Sequence, residues 1–187
     1  MSAFPVVLDA CVLAPYPIAD VLLRLADEGT YRALWSADIL AETHRTMVTK
    51  LGLSDTKADR RIAMMRGNFI DAEITGYRDL IPAMRNNDKD RHVLAAAVRE
   101  RAEVIVTFDV GGFPDAALGE YGIRSLHPDH FLLDQLDLYP AATKTVLHGM
   151  VSSWVNPPFT FDEILEAIGR RGAPRFAAAA RRTFQFP

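Results

Sequence analysis

Short runs of apolar, mostly β-branched residues alternate along the chain with longer segments of helical periodicity. Runs of this length, bounded by turn residues, are typical of strands that are buried on both faces. The predicted strands are Phe4–Leu8, Tyr31–Trp35, Ala72–Gly76, Val104–Phe108 and Ile123–Leu126. Strands separated by helices of about 10 to 15 residues indicate a parallel sheet with helices on both faces. We therefore predict an α/β fold.

The alternation ends near His127, and the residues that follow show only helical patterns. The predicted C-terminal helices are Leu132–Leu138, Ala141–Trp154, Phe161–Ile168 and Pro174–Phe184. Prolines and a glycine separate these segments, as is usual at helix ends. We therefore predict two domains, an α/β domain over residues 1–129 and an all-helical C-terminal extension over residues 130–187.

The composition is that of an ordinary globular protein, with 49% apolar and 24% charged residues among 187. Cys11 is the single cysteine, so no disulfide can form within the chain. We expect Cys11 to be a small buried apolar residue rather than a nucleophile. No apolar run approaches the roughly 20 residues that span a bilayer, and the N-terminus lacks the basic start of a signal peptide. We expect a cytoplasmic protein without a membrane partner.

Four acidic residues stand at the ends of predicted elements or close to them. Asp9 follows the first strand, and Asp109 follows the strand VIVTF. Asp90 lies at the start of the helix HVLAAAV, and Glu42 lies about two turns into the helix after the second strand. Because ligands of open parallel sheets bind beyond the carboxyl ends of the strands, we expect these four side chains to converge.

Converging carboxylates repel one another unless some are protonated or a cation lies among them. Ligands that are all oxygen favour Mg²⁺ or Mn²⁺, and such an ion can activate water for attack on a phosphodiester. The acids therefore predict a metal-dependent phosphoryl hydrolase.

Each acid also has a structural alternative. Asp9 could cap the next turn, and Asp90 could stabilise a helix start through the macrodipole. Glu42 could belong to a solvated helix face, and Asp109 could be a turn residue. The pattern of all four, rather than any single residue, favours the site. No phosphate-binding glycine loop, nucleophile elbow or H-E-x-x-H motif offers a different chemistry.

Four segments, in this order, resemble the motifs of the PIN domain family of nucleases. They are VVLDACVL, SADILAETHRTM, DKDRHVLAAAV and VIVTFDVGGFP. The resemblance covers residues 4–126. The catalytic residues that it implies are Asp9, Glu42, Asp90 and Asp109, and the accessory residues are Asp88 and Thr107. On this resemblance Asp9, Asp90 and Asp109 are the expected metal ligands, and Glu42 is a ligand, directly or through water, or orients the attacking water. The remainder of the chain resembles the helical C-terminal region of some bacterial VapC-type PIN toxins.

The resemblance implies a three-layer sandwich, with a parallel sheet between helices and Mg²⁺ or Mn²⁺ in an acidic pocket. It implies endonucleolytic cleavage of RNA by the toxin of a type II toxin-antitoxin system, bound to a small antitoxin and commonly dimeric. The alternatives are a PIN-fold DNA nuclease and a catalytically silent module that binds RNA or a partner. Many relatives carry a further acid shortly after the residue equivalent to Asp109, where this chain has Gly111 and Gly112. The sequence therefore leaves open whether one or two metal ions bind.

Basic residues must offset the acidic pocket if the chain binds RNA, because the formal net charge is −3. Residues 167–187 contain no acid and several arginines, and a local basic patch can bind phosphates on an acidic protein. The predicted RNA-binding residues are Arg45, Arg91, Arg181 and Arg182. For the two C-terminal arginines the alternatives are a solvated helix face and an antitoxin contact.

Overall fold

The structure is a computed structural model that describes residues 4–153 and 158–184. Within these residues, five parallel strands form one sheet. They are β1 (Pro5–Leu8), β2 (Arg32–Ser36), β3 (Glu73–Ile74), β4 (Val104–Val106) and β5 (Arg124–Leu126). Their order is β3-β2-β1-β4-β5, so the first strand is central, with Val6 in register with Ala33 and Val104. The predicted parallel sheet and α/β class are confirmed.

The helices follow the sequence periodicity closely. In chain order, the α-helices are α1 (Ala10–Leu13), α2 (Ile18–Asp27), α3 (Ala37–Thr49), α4 (Asp55–Asn68), α5 (Arg91–Arg99), α6 (Asp115–Leu118), α7 (Pro128–Leu138), α8 (Pro140–Ser153), α9 (Phe161–Arg170) and α10 (Pro174–Thr183). The hydroxyls of Ser36 and Ser54 cap α3 and α4, which satisfies N–H groups that have no partner within the helix. Residues 93–97 of α5 are buried, and this helix packs across β1, β2 and β4.

Several short elements were not predicted from the sequence. α1 follows β1 directly, and 3₁₀ helices span Arg78–Ala83 and Val110–Gly112. These elements have only three to six residues, too few to produce a recognisable periodicity. The helix predicted over 132–138 begins earlier, at Pro128, because proline is tolerated in the first turn of a helix. The predicted end of α8, at Trp154, lies outside the described residues.

Contacts between residues divide the chain into two compact units. The first unit contains the residues up to Ala14 together with Tyr31–His127, and therefore the whole sheet. Its core is apolar side chains from the strands and from α5, including Val7, Leu34, Leu94 and Val106. The second unit contains Pro15–Thr30 together with the residues from Pro128 onward, so α2 belongs with the C-terminal helices. The division at 129 and 130 stays a prediction.

The second unit is entirely helical within the described residues. α2 packs against α8, and α10 packs against both α7 and α9. One face of α2, with Ile18, Val21, Leu22 and Leu25, is fully buried, as expected for an amphipathic helix. No helix in the described part of the chain is long and apolar enough to cross a membrane.

Candidate active site

Asp9 lies at the carboxyl end of β1, where the chain turns into α1, and is only 6% exposed. Its Oδ1 accepts a hydrogen bond of 2.6 Å from the Ala10 N–H, and its Oδ2 accepts one of 2.7 Å from the Thr107 hydroxyl. The capping role considered for this residue is therefore present. The same Asp9 side chain is also held toward the carboxyl end of the neighbouring strand β4 by its hydrogen bond with Thr107.

Thr107 follows β4 and connects two of the predicted acids. While its hydroxyl donates to Asp9, the same Oγ1 accepts a hydrogen bond of 3.0 Å from the Asp109 N–H. Thr107 is fully buried, so this pairing is protected from competition with water. Thr107, which only the family resemblance identified as an accessory residue, thus links the ends of β1 and β4.

Cys11 belongs to the same polar group. Its thiol is 3.1 Å from Asp9 Oδ2 and 3.3 Å from Thr107 Oγ1, and Sγ accepts from the Phe108 N–H at 3.2 Å. The expectation of a purely apolar residue is therefore wrong, because the half-buried thiol has polar partners. Burial, with the charge of Asp9, raises the pKa of Cys11 to about 12. The thiol stays neutral, which agrees with the expectation that it is not a nucleophile.

Asp90 ends a 3₁₀ turn, Asp88–Asp90, that leads into α5. Its side chain is 14% exposed, and its Oδ2 is buried without a hydrogen-bond partner among the described residues. Burial and the charges of the other three predicted acids together raise the pKa of Asp90 to about 6, against the opposing charge of Lys89. The four acids are therefore close enough to interact electrostatically.

Asp109 lies on the rim of this group and is held by Lys89. The Lys89 ammonium donates a hydrogen bond of 2.7 Å to Asp109 Oδ2 and lies 3.8 Å from Asp90 Oδ2. This hydrogen bond lowers the pKa of Asp109 below its ordinary value, and the same contact raises the pKa of Lys89. Sequence analysis gave Lys89 no role, although it stands next to Asp90.

Gly112 lies beside two of the predicted acids. A Cβ atom at position 112 would lie 2.6 Å from Asp90 Oδ2 and 3.4 Å from Asp109 Oδ2. Real Cβ atoms essentially never approach another atom that closely. The backbone at Gly112 therefore passes directly beside the two carboxylates, and a side chain there would displace Asp90.

Glu42 projects from α3 and meets His92 of α5. Its Oε1 is 3.3 Å from His92 Nε2, an ion-pair contact without the alignment of a hydrogen bond. Burial opposes protonation of His92, but Glu42, with Asp38 and Asp9, raises the net pKa of the ring above its ordinary value. His92 is a second residue that sequence analysis left without a role, even though it belongs to the DKDRHV segment.

The other predicted residues lie in varied surroundings. The accessory residue Asp88 is 87% exposed and pairs with Arg91 at 2.7 Å, so it points into solvent rather than toward the carboxylates. Arg45 is exposed on α3. In the second unit, Arg182 is exposed, whereas Arg181 forms an ion pair of 2.7 Å with Asp162. The predicted roles of these residues stay predictions.

The carboxylates match the donor chemistry of a Mg²⁺ or Mn²⁺ site, because they supply only oxygen atoms. In residues 4–153 and 158–184, no group of three or more His, Cys, Asp or Glu side chains is arranged so that it could hold a metal ion. The unpartnered Oδ2 of Asp90 nevertheless has the environment of a ligand atom, since a buried carboxylate oxygen is destabilising until it is paired. Lys89 occupies the position of a cation between Asp90 and Asp109.

A parallel α/β sheet with acids gathered at its carboxyl edge defines a class of protein that binds its ligand beyond the strand ends. Residues 5–111 match the family model of the PIN domain, and the chain belongs to the PIN domain family. Residues 128–182 match a second family model, described as the VapC50 C-terminal domain.

The chain is also similar to a protein described as a ribonuclease. A Mycobacterium tuberculosis protein described as "Putative ribonuclease VapC50" is 63% identical to the chain over 109 residues. The matched part is 58% of this chain and 64% of that protein, so the chain spans slightly less than two thirds of its relative's length. No solved structure matches the chain.

Proposed function

We propose that this chain is a metal-dependent endoribonuclease that acts as the toxin of a type II toxin-antitoxin system. The observation that carries the proposal is the buried Oδ2 of Asp90, which lacks a hydrogen-bond partner within the described residues and lies in the field of three other carboxylates. A buried carboxylate oxygen without a hydrogen bond destabilises the folded chain, and binding of a cation to that oxygen removes the penalty. Membership in the PIN domain family and the printed name of the M. tuberculosis relative support RNA as the substrate.

Asp9, Asp90 and Asp109 are the residues that would hold Mg²⁺ or Mn²⁺. Such an ion supplies an activated water for attack on the phosphodiester and stabilises the leaving oxygen. Asp9 is already oriented by Ala10 and Thr107, so it needs little rearrangement to present its remaining lone pairs. Asp109 is partly exposed and held through its backbone N–H by Thr107. Its side chain can therefore rotate toward a cation at small cost.

Glu42 is the candidate for orienting the attacking water and accepting its proton. Its carboxylate is half-exposed and therefore accessible to solvent. Contact with His92 keeps the Glu42 side chain on the side of α3 that faces α5, and a carboxylate that is close to an imidazole can pass on a proton. His92 is therefore assigned a positioning role. Asp88 stays a proposed accessory residue that acts from the surface.

The proposal includes partners that offset the acidic pocket. Arg45 and Arg91 are the cations of the first unit that would contact the phosphates of RNA, with Arg181 and Arg182 as candidates in the second unit. A small antitoxin protein is the proposed regulatory partner. A homodimer and a cytoplasmic location complete the proposal, in line with VapC-type toxins.

Cleavage assays with matched variants test this function. Wild type, Asp90→Asn and Asp71→Asn are incubated with RNA and with DNA of the same sequence, in Mn²⁺ or in EDTA. Asp71 is an exposed acid of the same unit, so its variant matches the change in charge. We expect RNA cleavage only in Mn²⁺, unaffected by Asp71→Asn and reduced at least about 100-fold by Asp90→Asn, since even losing a residue that supports a metal ligand costs 10- to 100-fold.

The same assays separate the alternatives. Cleavage of DNA in preference to RNA would identify a DNA nuclease, and RNA binding without cleavage would identify a silent module. Cleavage of RNA by Asp90→Asn at the wild-type rate would show that the proposed site is wrong.

A further inference from the structure

Lys89 is the charged side chain that pairs with two of the four carboxylates. Its Nζ is 2.7 Å from Asp109 Oδ2 and 3.8 Å from Asp90 Oδ2. The single positive charge of Lys89 thus contacts oxygen atoms of two proposed metal ligands. Asp90 Oδ2, the nearer carboxylate oxygen of the buried residue, has no hydrogen-bond partner of its own in the described part of the chain.

The side chain of Lys89 differs from its partners in exposure. It is 62% exposed, whereas the side chain of Asp90 is 14% exposed. A lysine with a long, solvent-exposed stem can leave its ion pair at little cost, because exposed ion pairs are weak. The buried carboxylate cannot leave. Lys89 is therefore a removable counter-ion beside the largely buried Asp90 carboxylate.

Space around the acids leaves few alternatives for a cation. On the side of Gly112, a single additional carbon atom would lie 2.6 Å from Asp90 Oδ2, so the backbone closes that approach. The ammonium of the largely exposed Lys89 side chain already contacts both Asp90 Oδ2 and Asp109 Oδ2. A divalent cation that ligates both Asp90 and Asp109 must therefore compete with Lys89 for the same oxygen atoms.

We propose that Lys89 is a resident counter-ion that neutralises the acidic site of the free chain and competes with the divalent cation for Asp90 and Asp109. This inference rests on the proposed metal-dependent function. In the free chain, Lys89 reduces repulsion among the acids and stabilises the fold. When a cation binds, the Lys89 ammonium is displaced into solvent. Lys89 thereby lowers the affinity of the site for the metal.

The test measures Mn²⁺ binding by calorimetry on the full chain, without RNA. The variants are Lys89→Met, which removes the charge at similar length, Lys89→Gln as a second neutral variant, and Lys89→Arg, which keeps the charge. Lys57→Met is the matched control, because Lys57 is an exposed lysine on α4 in the same unit. We expect Lys89→Met and Lys89→Gln to bind Mn²⁺ about three- to tenfold more tightly than Lys57→Met, and Lys89→Arg to bind like wild type.

Thermal unfolding gives a second measurement. In EDTA we expect Lys89→Met to melt below Lys57→Met, because the carboxylates lose their counter-ion, and saturating Mn²⁺ should abolish this difference. Neutral Lys89 variants that bind Mn²⁺ no more tightly than Lys57→Met would overturn the proposal. A different failure, in which neither wild type nor Lys89→Met binds Mn²⁺, would remove the proposed metal site itself.

Discussion

Asp90 in the first unit and Asp129 in the second are both carboxylates buried near the start of a helix, but their oxygen atoms have different surroundings. Asp129 is 5% exposed. Its Oδ1 accepts from the Phe176 N–H at 2.8 Å and its Oδ2 from the Arg175 N–H at 3.3 Å. Asp90 Oδ2 has no such partner in the described residues. Both residues are similar in the sequence, where each stands in an Asp-containing turn before an apolar helix.

The difference shows how burial separates structural acids from functional ones. Asp129 supplies the negative charge and the acceptors that the N-terminus of α10 requires, so its burial is compensated within the chain. Asp90 is surrounded by other acids and by an exposed lysine, so its burial is compensated only in part. Incomplete compensation lowers stability and is retained where a ligand completes the site. The comparison therefore predicts opposite responses to removal of the two charges.

Truncation after His127 should have the largest effect. The truncated chain keeps α2 but loses α8, so Ile18, Val21, Leu22 and Leu25 lose the helices that bury them. An apolar face of this kind promotes aggregation when uncovered. We expect the truncated chain to be insoluble, as judged from its soluble fraction and size-exclusion chromatography. A soluble, monomeric product that cleaves RNA would contradict this and show that the first unit is independent.

Asp129→Ala should lower the free energy of unfolding by about 1–2 kcal/mol, because two helix N–H groups lose a charged acceptor. Mn²⁺ affinity should not change. Asp134→Ala removes an exposed acid of the same helix and serves as the control, with little expected change in stability. Urea unfolding and calorimetry measure the two quantities. Reduced Mn²⁺ affinity in Asp129→Ala would mean that Asp129 is not simply structural.

Asp90→Asn should instead stabilise the metal-free chain, and only above acidic pH. The pKa of Asp90 is about 6 in the folded chain against 3.8 for an ordinary carboxyl, so the folded state keeps a proton that the unfolded state has lost. The contribution of Asp90 to the free energy of unfolding therefore falls as the pH rises from about 4 to about 6, and it stays lower above that range. We expect Asp90→Asn to gain about 1 kcal/mol at pH 7, after allowance for solvent screening.

Urea unfolding of Asp90→Asn and Asp71→Asn in EDTA, from pH 4 to pH 8, measures this effect. The groups that face Asp90 are Asp9, Asp109, Glu42 and Lys89, and all remain in both variants. Parallel pH profiles for the two variants would show that the burial of Asp90 carries no penalty.

Charge reversal in α10 should have the smallest effect. Arg182→Glu removes an exposed cation, whereas Arg181→Glu breaks an ion pair with Asp162. If the second unit contacts RNA, Arg182→Glu should weaken binding and reduce the slope of log K against log salt by roughly 0.7 to 0.9. Arg181→Glu should do less, because Asp162 already offsets its charge. Salt slopes equal to wild type in both variants would restrict RNA binding to the first unit, where Arg45 and Arg91 lie.

The fold was largely predictable because its strands are short apolar runs and its helices carry strong periodicity. The short helix α1 and the 3₁₀ turns were not predictable, because three to six residues carry no periodic signal. The grouping of α2 with the C-terminal helices was not predictable either, because an amphipathic pattern identifies a buried face but not the element that covers it.

Within the candidate site, the acids themselves could be found from their positions after strands and at a helix start. The environments of these acids could not be predicted from the sequence. The basic run in residues 167–187 looks unpaired in sequence, yet Arg170 and Arg181 pair with Glu166 and Asp162. Lys89 and His92 were visible beside Asp90, but nothing in their spacing shows that one reaches Asp109 and the other Glu42.

The sequence by itself determined the parallel α/β class, the helical C-terminal region and the positions of the four acids near the ends of elements, because hydrophobic periodicity and strand-end positions are local properties of a chain. The tertiary structure decided which acid has a buried oxygen without a hydrogen bond among the described residues, which acid caps a helix and which lysine lies between the carboxylates. Those properties depend on desolvation and on distances between residues far apart in sequence. Asp90 and Asp109 interact across 19 positions only because β4 and α5 lie side by side in the fold.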